Sequence, residues 1–436
     1  MVQTQDSAIS PSKHWTSKRI AKILALVAFN IIAVQLLLEW LAAFVMLPMP
    51  SYLFDHHFPY AKVESTAGPV SATWVANSRG FHDVEHASGK VKGRVRIVTI
   101  GDSFLAGPQH VPLPTALNGR LAKHRSDVEV INLSLPAIDT HHYYQLFKHA
   151  LNEYRPDIVM VFIFAGNDFR GMEQKVPKAY DRPATFFARF PRPSYYGRVF
   201  PRSSIIIADG LAGRFVHRWS ALPDRTRWAP QPVRSLDQVA DKITEYVALD
   251  APTVRRHLEE RLTDVELDEL VSHGVRLDML AYMVAIGMDA KFTARLGVKE
   301  HRPEIADARV ADAQVMSVLA FLSAMNATAT HEDVEFHTVL IPLSHVDPRC
   351  ADLYERLGAG EDPLFTGTRM AQMSALRKRL VAQGVSVIDL SEALSAVPGT
   401  YLRFDTHWAE EGVAVAAQTI DEWLARSSRP LAGEDR

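Results

Sequence analysis

The sequence has one cysteine, Cys350, among its 436 residues. A lone thiol excludes an internal disulfide framework and any metal site built from several cysteines, and it reads as a partly buried apolar group. Charge of one sign is lacking too: 48 Lys and Arg stand against 50 Asp and Glu, a formal net charge of −2. No basic run marks a nucleic-acid surface. Long apolar runs are scarce, the longest being residues 23–47. With 47% hydrophobic and 22% charged residues overall, the chain has material for a large core and more than one domain.

As a helix, residues 23–47 would be about 37 Å long, enough to cross a hydrocarbon core of roughly 30 Å. Between positions 23 and 38 only Asn30 and Gln35 interrupt the run; Glu39 follows, tolerable near the outer interface that Trp40 also prefers. Lys13, Lys18, Arg19 and Lys22 precede the run, and no basic residue follows before Lys62. The charge bias predicts a cytoplasmic tail over 1–22, an uncleaved signal-anchor over 23–47, and the remainder outside the cytoplasm. The length of the run, and the lack of a small-x-small site before Pro48, argue against a cleaved signal peptide. Glu39 keeps a buried soluble helix as the alternative.

Residues 48–92 are rich in Pro, Gly, Ser and His without sustained periodicity, and read as a linker. Val95, Ile97, Val98 and Ile100 then mark a buried strand that runs into Gly101-Asp102-Ser103. A serine at the carboxyl end of such a strand sits where open α/β sheets place their sites. Its hydroxyl is a poor nucleophile without a base, an orienting acid and donors for an oxyanion. Asp405-Thr406-His407 offers the first two, and Asn167, in Ala165-Gly166-Asn167-Asp168 after the apolar run 158–164, offers a donor.

Between these clusters, helix at 114–125, strand at 128–133, helix at 140–154 and strand at 158–164 alternate, which predicts a mostly parallel sheet covered on both faces. From 170 to 225 the chain is rich in Arg, Pro and aromatics, either a cap whose rings stack on sugars or a surface loop. Residues 235–326 carry helical i, i+3, i+4 spacing, their methionines serving as core filler. Strand 336–342, helix 369–383, strand 385–390 and a closing helix 410–426 complete the pattern. His56-His57 and His141-His142 invite a metal reading; adjacent histidines usually point apart and no third ligand has suitable spacing, so they read as solvated loop or helix-face residues.

These blocks, in this order, resemble the SGNH (GDSL-type) hydrolase superfamily. Gly101-Asp102-Ser103-Phe104 looks like its serine block. Val130-Ile131-Asn132-Leu133-Ser134-Leu135-Pro136-Ala137 looks like its second block, with Ala137 where the family glycine donates a backbone N–H, and Ala165-Gly166-Asn167-Asp168 is similar to its third, with Ala165 in place of the first glycine. Many members carry Asp three residues before His; here Phe404 holds that place and Asp405 lies two before His407. That DxHW form is familiar from exopolysaccharide O-acetyltransferase relatives. Asn77-Ser78-Arg79-Gly80-Phe81-His82-Asp83 resembles an approach segment of membrane-anchored members, with His82 where Arg is usual and packing and turn chemistry as its role.

The resemblance implies a three-layer α/β/α fold with a mostly parallel sheet, a helical insertion and an N-terminal transmembrane helix. The parts would be an SGNH domain over 93–169 and 336–427, a cap or helical insertion over 170–335, and a tail at 428–436. It implies Ser103, Asp405 and His407 as catalytic residues, and Ser103, Ala137 and Asn167 as the oxyanion hole, with no metal or organic cofactor. The activity it implies is a serine-dependent ester hydrolase acting through an acyl-enzyme on an O-acylated carbohydrate or small ester outside the cytoplasm. The alternatives are an O-acetyltransferase modifying an exopolysaccharide or cell-envelope glycan, with polysaccharide-assembly proteins as partners, and a non-catalytic glycan-binding or scaffold protein.

Overall fold

The computed structural model describes residues 17–46, 62–67, 70–75, 77, 79, 81–107, 111–136, 138–173, 175–177, 235–244, 249–272, 280, 284, 307–359, 365–405 and 407–426. The chain divides into two compact units, one of residues 1–48 with 192–218 and one of residues 49–191 with 219–436.

The described part of the first unit is a single helix, α1 (Ser17–Met46), which begins six residues before the expected apolar start at 23. Leu24, Leu26, Phe29, Ile31 and Trp40 on it are exposed. Asn30 turns its amide onto the Leu26 carbonyl at 2.8 Å, so this polar side chain satisfies one donor within the helix itself. The helix is long and apolar enough to cross a membrane.

The second unit is built on five parallel strands: β3 (Val95–Ile100), β4 (Val128–Asn132), β5 (Ile158–Phe164), β6 (Glu335–Ile341) and β7 (Ser386–Asp389). Their order in the sheet is β4-β3-β5-β6-β7. β3 and β5 are buried at every position, which is why β5 reads as a continuous apolar run and β3 as one interrupted only by Arg96 and Thr99. Helices cover the sheet in two groups, giving the expected α/β/α layering. One is α3 (Leu113–Leu121) packed on α12 (Glu410–Arg426); the other is α8 (Ala308–His331) packed on α4 (Thr140–Glu153) and α10 (Phe365–Ala382). Val315, Val318, Phe321 and Leu322 of α8 lie in the main core, which accounts for its apolar composition.

Two expectations are corrected. Residues 48–92, read as a linker without periodicity, contain an antiparallel hairpin of β1 (Lys62–Ala67) and β2 (Val70–Val75), in register from Lys62–Val75 to Ala67–Val70. Helix α10 starts at Phe365, one turn before the expected 369. The irregular 170–225 region, and His56-His57, lie almost wholly or wholly outside the described residues.

Chain order places the site. From β3 the chain moves to β4 on one side, then returns past β3 to form β5 on the other. The strand order therefore reverses between β3 and β5, and a crevice opens at their carboxyl ends.

One buried carboxylate holds the far end of the chain against this crevice. Asp347 is wholly buried and accepts N–H bonds from Arg349 at 2.9 Å, Gly399 at 3.0 and 3.1 Å, and Tyr401 at 2.9 Å. It thus caps α9 (Pro348–Arg356) and pins the start of the 399–409 loop. Tyr401 adds a bond from its hydroxyl to the Pro342 carbonyl at 2.8 Å. The loop closes on itself through Leu402 N–H to His407 O at 3.0 Å and Ala409 N–H to Thr400 O at 2.9 Å. A Cβ on Gly412 would run into the Thr400 carbonyl, so the third residue of the following helix has to be glycine.

Replacing Asp347 by Ala would orphan these buried N–H groups, each worth roughly 1–3 kcal/mol. Urea unfolding of Asp347→Ala should show a loss of about 3 kcal/mol or more; a loss under about 0.5 kcal/mol, the range of an ordinary surface change, would refute the assignment.

Candidate active site

Gly101 ends β3 with no room for a side chain: a Cβ there would press on Leu105 and on Phe162 of β5. Asp102 then caps the single-turn helix α2 (Ser103–Ala106), accepting the Phe104 N–H at 3.0 Å. Ser103 is therefore the first residue of a helical turn, and its N–H has no acceptor within that helix.

From the neighbouring strand end, Asn167 donates its Nδ2 to Asp102 Oδ2 at 3.0 Å. One Asp102 carboxyl thus ties the serine turn to the Asn167 turn. The amide nitrogen carries two hydrogens, so one bond to Asp102 leaves a second N–H to offer. Asp168 is wholly buried and accepts the Phe164 N–H at 2.6 Å and the Tyr143 hydroxyl at 2.8 Å. Ala165 is buried and donates its N–H to Ile341 O at 3.0 Å.

The third group comes from the 399–409 loop. His407 Nε2 lies 2.7 Å from Ser103 Oγ, and its Nδ1 lies 2.5 Å from Asp405 Oδ1. The same Asp405 oxygen accepts the His407 backbone N–H at 2.9 Å. With Asp405 accepting at Nδ1, the ring proton belongs there and the Nε2 lone pair faces the serine hydroxyl. Phe104 packs beneath the imidazole, ring centroids 5.1 Å apart, and meets Trp408 edge-on at 5.1 Å. These aromatic neighbours fix the ring plane.

The structure therefore brings together Ser103, Asn167, Asp405 and His407. Ala137 lies outside the described residues. The loop that leads to it is tied to β3 by Leu133 N–H to Thr99 O at 2.9 Å and Leu135 N–H to Gly101 O at 3.2 Å. In the approach segment, Asn77 Oδ1 accepts the N–H groups of Arg79 and Phe81, both at 3.0 Å, and the His82 ring stacks on Trp74 at 4.0 Å.

A second polar cluster corrects the reading of His141 and His142. They sit in the first turn of α4, and both turn back onto its capping residue, Asp139. Their ring centroids are 3.7 Å apart, so these adjacent histidines do not diverge. Lys175 Nζ lies 2.9 Å from both Asp139 Oδ2 and His141 Nδ1, so an ammonium already fills the place a bound cation would take. Burial works against the Asp139 charge, but hydrogen bonds from the two histidines and the Lys175 charge hold its carboxyl well below the usual carboxylate range. Burial, with the His142 and Lys175 charges, lowers His141.

Comparison with known proteins finds a family match over the C-terminal part of the chain. Residues 307–436 match the family described as "SGNH hydrolase-like domain, acetyltransferase AlgX". The matched segment contains Asp405 and His407; Ser103 and Asn167 precede it and join the site through the fold. Similar solved structures include a lipolytic protein of the G-D-S-L family from Desulfitobacterium hafniense DCB-2, at 10% identity over 76% of this chain and 99% of that one, TM-score 0.32. Another is a lipase/acylhydrolase from Enterococcus faecalis, at 12% identity over 76% and 95%, TM-score 0.33. An extracellular lipase from Streptomyces rimosus is similar at 10% identity over 76% and 99%, TM-score 0.28. No curated protein matches the chain by sequence.

Burial, and the neighbouring Asp102 carboxyl, push the Asp168 carboxyl well above its usual range; burial likewise raises Asp102 against its bonds to Phe104 and Asn167. A carboxyl with a raised folded pKa holds its proton more tightly folded than unfolded. Its contribution to stability is complete below the usual carboxylate range and is lost as pH rises through the raised value. Asp168→Asn should therefore lose less stability than the parent between about pH 5 and about pH 8. Parallel pH–stability curves from urea denaturation would refute this.

Proposed function

We propose that this chain performs serine acyl-enzyme chemistry on an O-acylated substrate, carbohydrate or small ester, outside the cytoplasm. The observation that carries the reading is the hydrogen-bonded chain from Ser103 Oγ through His407 to Asp405. Chemistry on acyl groups, by hydrolysis or transfer, is also what the family match supports.

In this mechanism His407 Nε2 takes the Ser103 proton as Oγ attacks the ester carbonyl carbon. Asp405 holds the imidazole tautomer and stabilises its protonated form. The tetrahedral oxyanion accepts hydrogen bonds from the Ser103 N–H, the Ala137 N–H and Asn167 Nδ2. Collapse breaks the ester C–O bond, and the alcohol leaves with the proton from His407. A second oxygen nucleophile then attacks the acyl-serine, again giving its proton to His407, and Ser103 is regenerated.

Water in the second step makes an ester hydrolase. A sugar hydroxyl makes an O-acetyltransferase, the reading favoured by the acetyltransferase in the family description and by the DxHW form of Asp405 and His407. Helix α1 would anchor the domain, with residues 1–22 in the cytoplasm. Protease added to intact spheroplasts should then digest the domain and spare the tail; a fully protected chain would refute this topology.

The full chain in detergent should hydrolyse p-nitrophenyl acetate, and Ser103→Ala should abolish turnover without unfolding the protein. Asn167→Ala should lower kcat by about 10²–10³-fold, as loss of one oxyanion donor does. Activity of Ser103→Ala equal to the parent would refute the serine mechanism. Acceleration by added glycan, with acetyl recovered on the sugar, would decide for transfer.

A further inference from the structure

The loop that carries Asp405 and His407 is gripped from outside the sheet. Three helices between β5 and β6, α5 (Leu236–Thr244), α6 (Ala251–Arg261) and α7 (Asp264–Ser272), build an apolar cluster separate from the main core. Val239, Ile243, Leu258 and Leu270 belong to it, and so does Phe404, only 4% exposed. Phe404 immediately precedes Asp405, and its neighbour Arg403 bonds Glu269 of α7, Nη1 to Oε2, at 3.0 Å.

The same helices are locked to α9. Arg356 pairs with Glu266 at 2.5 Å, and Arg261 and Arg356 each donate to the other's carbonyl, at 3.2 and 2.5 Å. His257 Nε2 lies 3.3 Å from the Leu357 carbonyl. Since α9 is capped by Asp347, which holds Gly399 and Tyr401, both supports of the loop run into one packed body.

Resting on the proposed serine chemistry, we infer that Arg403 and Phe404 are positioning residues, through which helices α5–α7 set the distance of Asp405 and His407 from Ser103. The Phe404 ring anchors the backbone on one side while the Asp405 carboxyl reaches His407 on the other. The Arg403–Glu269 pair fixes the loop along the helix it touches. Its partial burial limits screening, so loss of either partner leaves a charge facing an apolar cluster. A displacement of about 1 Å at this loop would cost about 10²-fold in rate.

The test compares full-length protein with Arg403→Glu, Glu269→Arg and the double exchange. It measures kcat and KM for p-nitrophenyl acetate, urea midpoint, and hydrogen exchange of a peptide spanning 400–409. Each single variant should lower kcat by about 10²-fold with KM changed less than about twofold. Exchange at Leu402 and Ala409, whose N–H groups close the loop, should accelerate, and the double exchange should restore both readouts. Phe404→Leu, which keeps an apolar anchor, should retain more kcat than Phe404→Ala.

Unchanged kcat and unchanged exchange in both single variants would overturn the inference. So would loss of kcat accompanied by a collapsed urea midpoint and no recovery in the double exchange. A wild-type protein without esterase activity, whose loop nonetheless exchanges faster in the single variants and recovers in the double, would count against the serine chemistry and support the positioning role.

Discussion

The hydrogen bond from Ser103 Oγ to His407 Nε2 joins residues 304 positions apart. Neither end can be placed by its own sequence neighbours. On the serine side the constraint is a strand that stops at a crowded glycine and a carboxyl that caps the next turn. On the histidine side it is a loop with little regular structure, held by groups that do no chemistry. Asp347 collects N–H donors at the start of that loop, Tyr401 ties it to the end of β6, and Phe404 and Arg403 fasten its middle to a separate helical cluster.

Buried carboxyls recur in this architecture with different consequences. Asp347 gathers the N–H groups of Arg349, Gly399 and Tyr401, and Asp102 those of Phe104 and Asn167, so both act as knots between segments. Asp168 accepts one N–H and one phenol hydroxyl, and burial drives it toward its neutral form. Asp139 meets two imidazoles and an ammonium and stays charged. The same side chain thus serves as cap, tether or ion-pair partner according to what is folded against it.

Much of the fold was legible in advance. The run that forms β5 is wholly apolar, and those that form β3 and β6 are mostly so, because strands buried on both faces have no reason to alternate. The closing helix appeared with its observed bounds because its apolar stripe and flanking turn agree. The hairpin of β1 and β2 leaves little local signal: Lys62–Ala67 carries few apolar residues, and its partner's alternation of Val70, Ala72 and Trp74 is short. His141 and His142 were expected to diverge, and converge because the capping aspartate lies behind both in the first turn of a helix. Phe404 registered only as the residue standing where relatives have aspartate, since nothing in the local sequence says that its ring enters a second core.

What the sequence determined by itself is the set of chemically capable residues and the elements that deliver them. A serine after a buried strand, an asparagine after another and an Asp-x-His before the last helix are local facts, set by hydrophobic runs and turn residues. What only the tertiary structure decided is their convergence: that β3 and β5 are neighbours, that Asp102 bonds Asn167, and that the 399–409 loop reaches back to Ser103. Those outcomes depend on packing between segments far apart in the chain, where burial and hydrogen-bond satisfaction are shared among many residues and no local pattern encodes the partner.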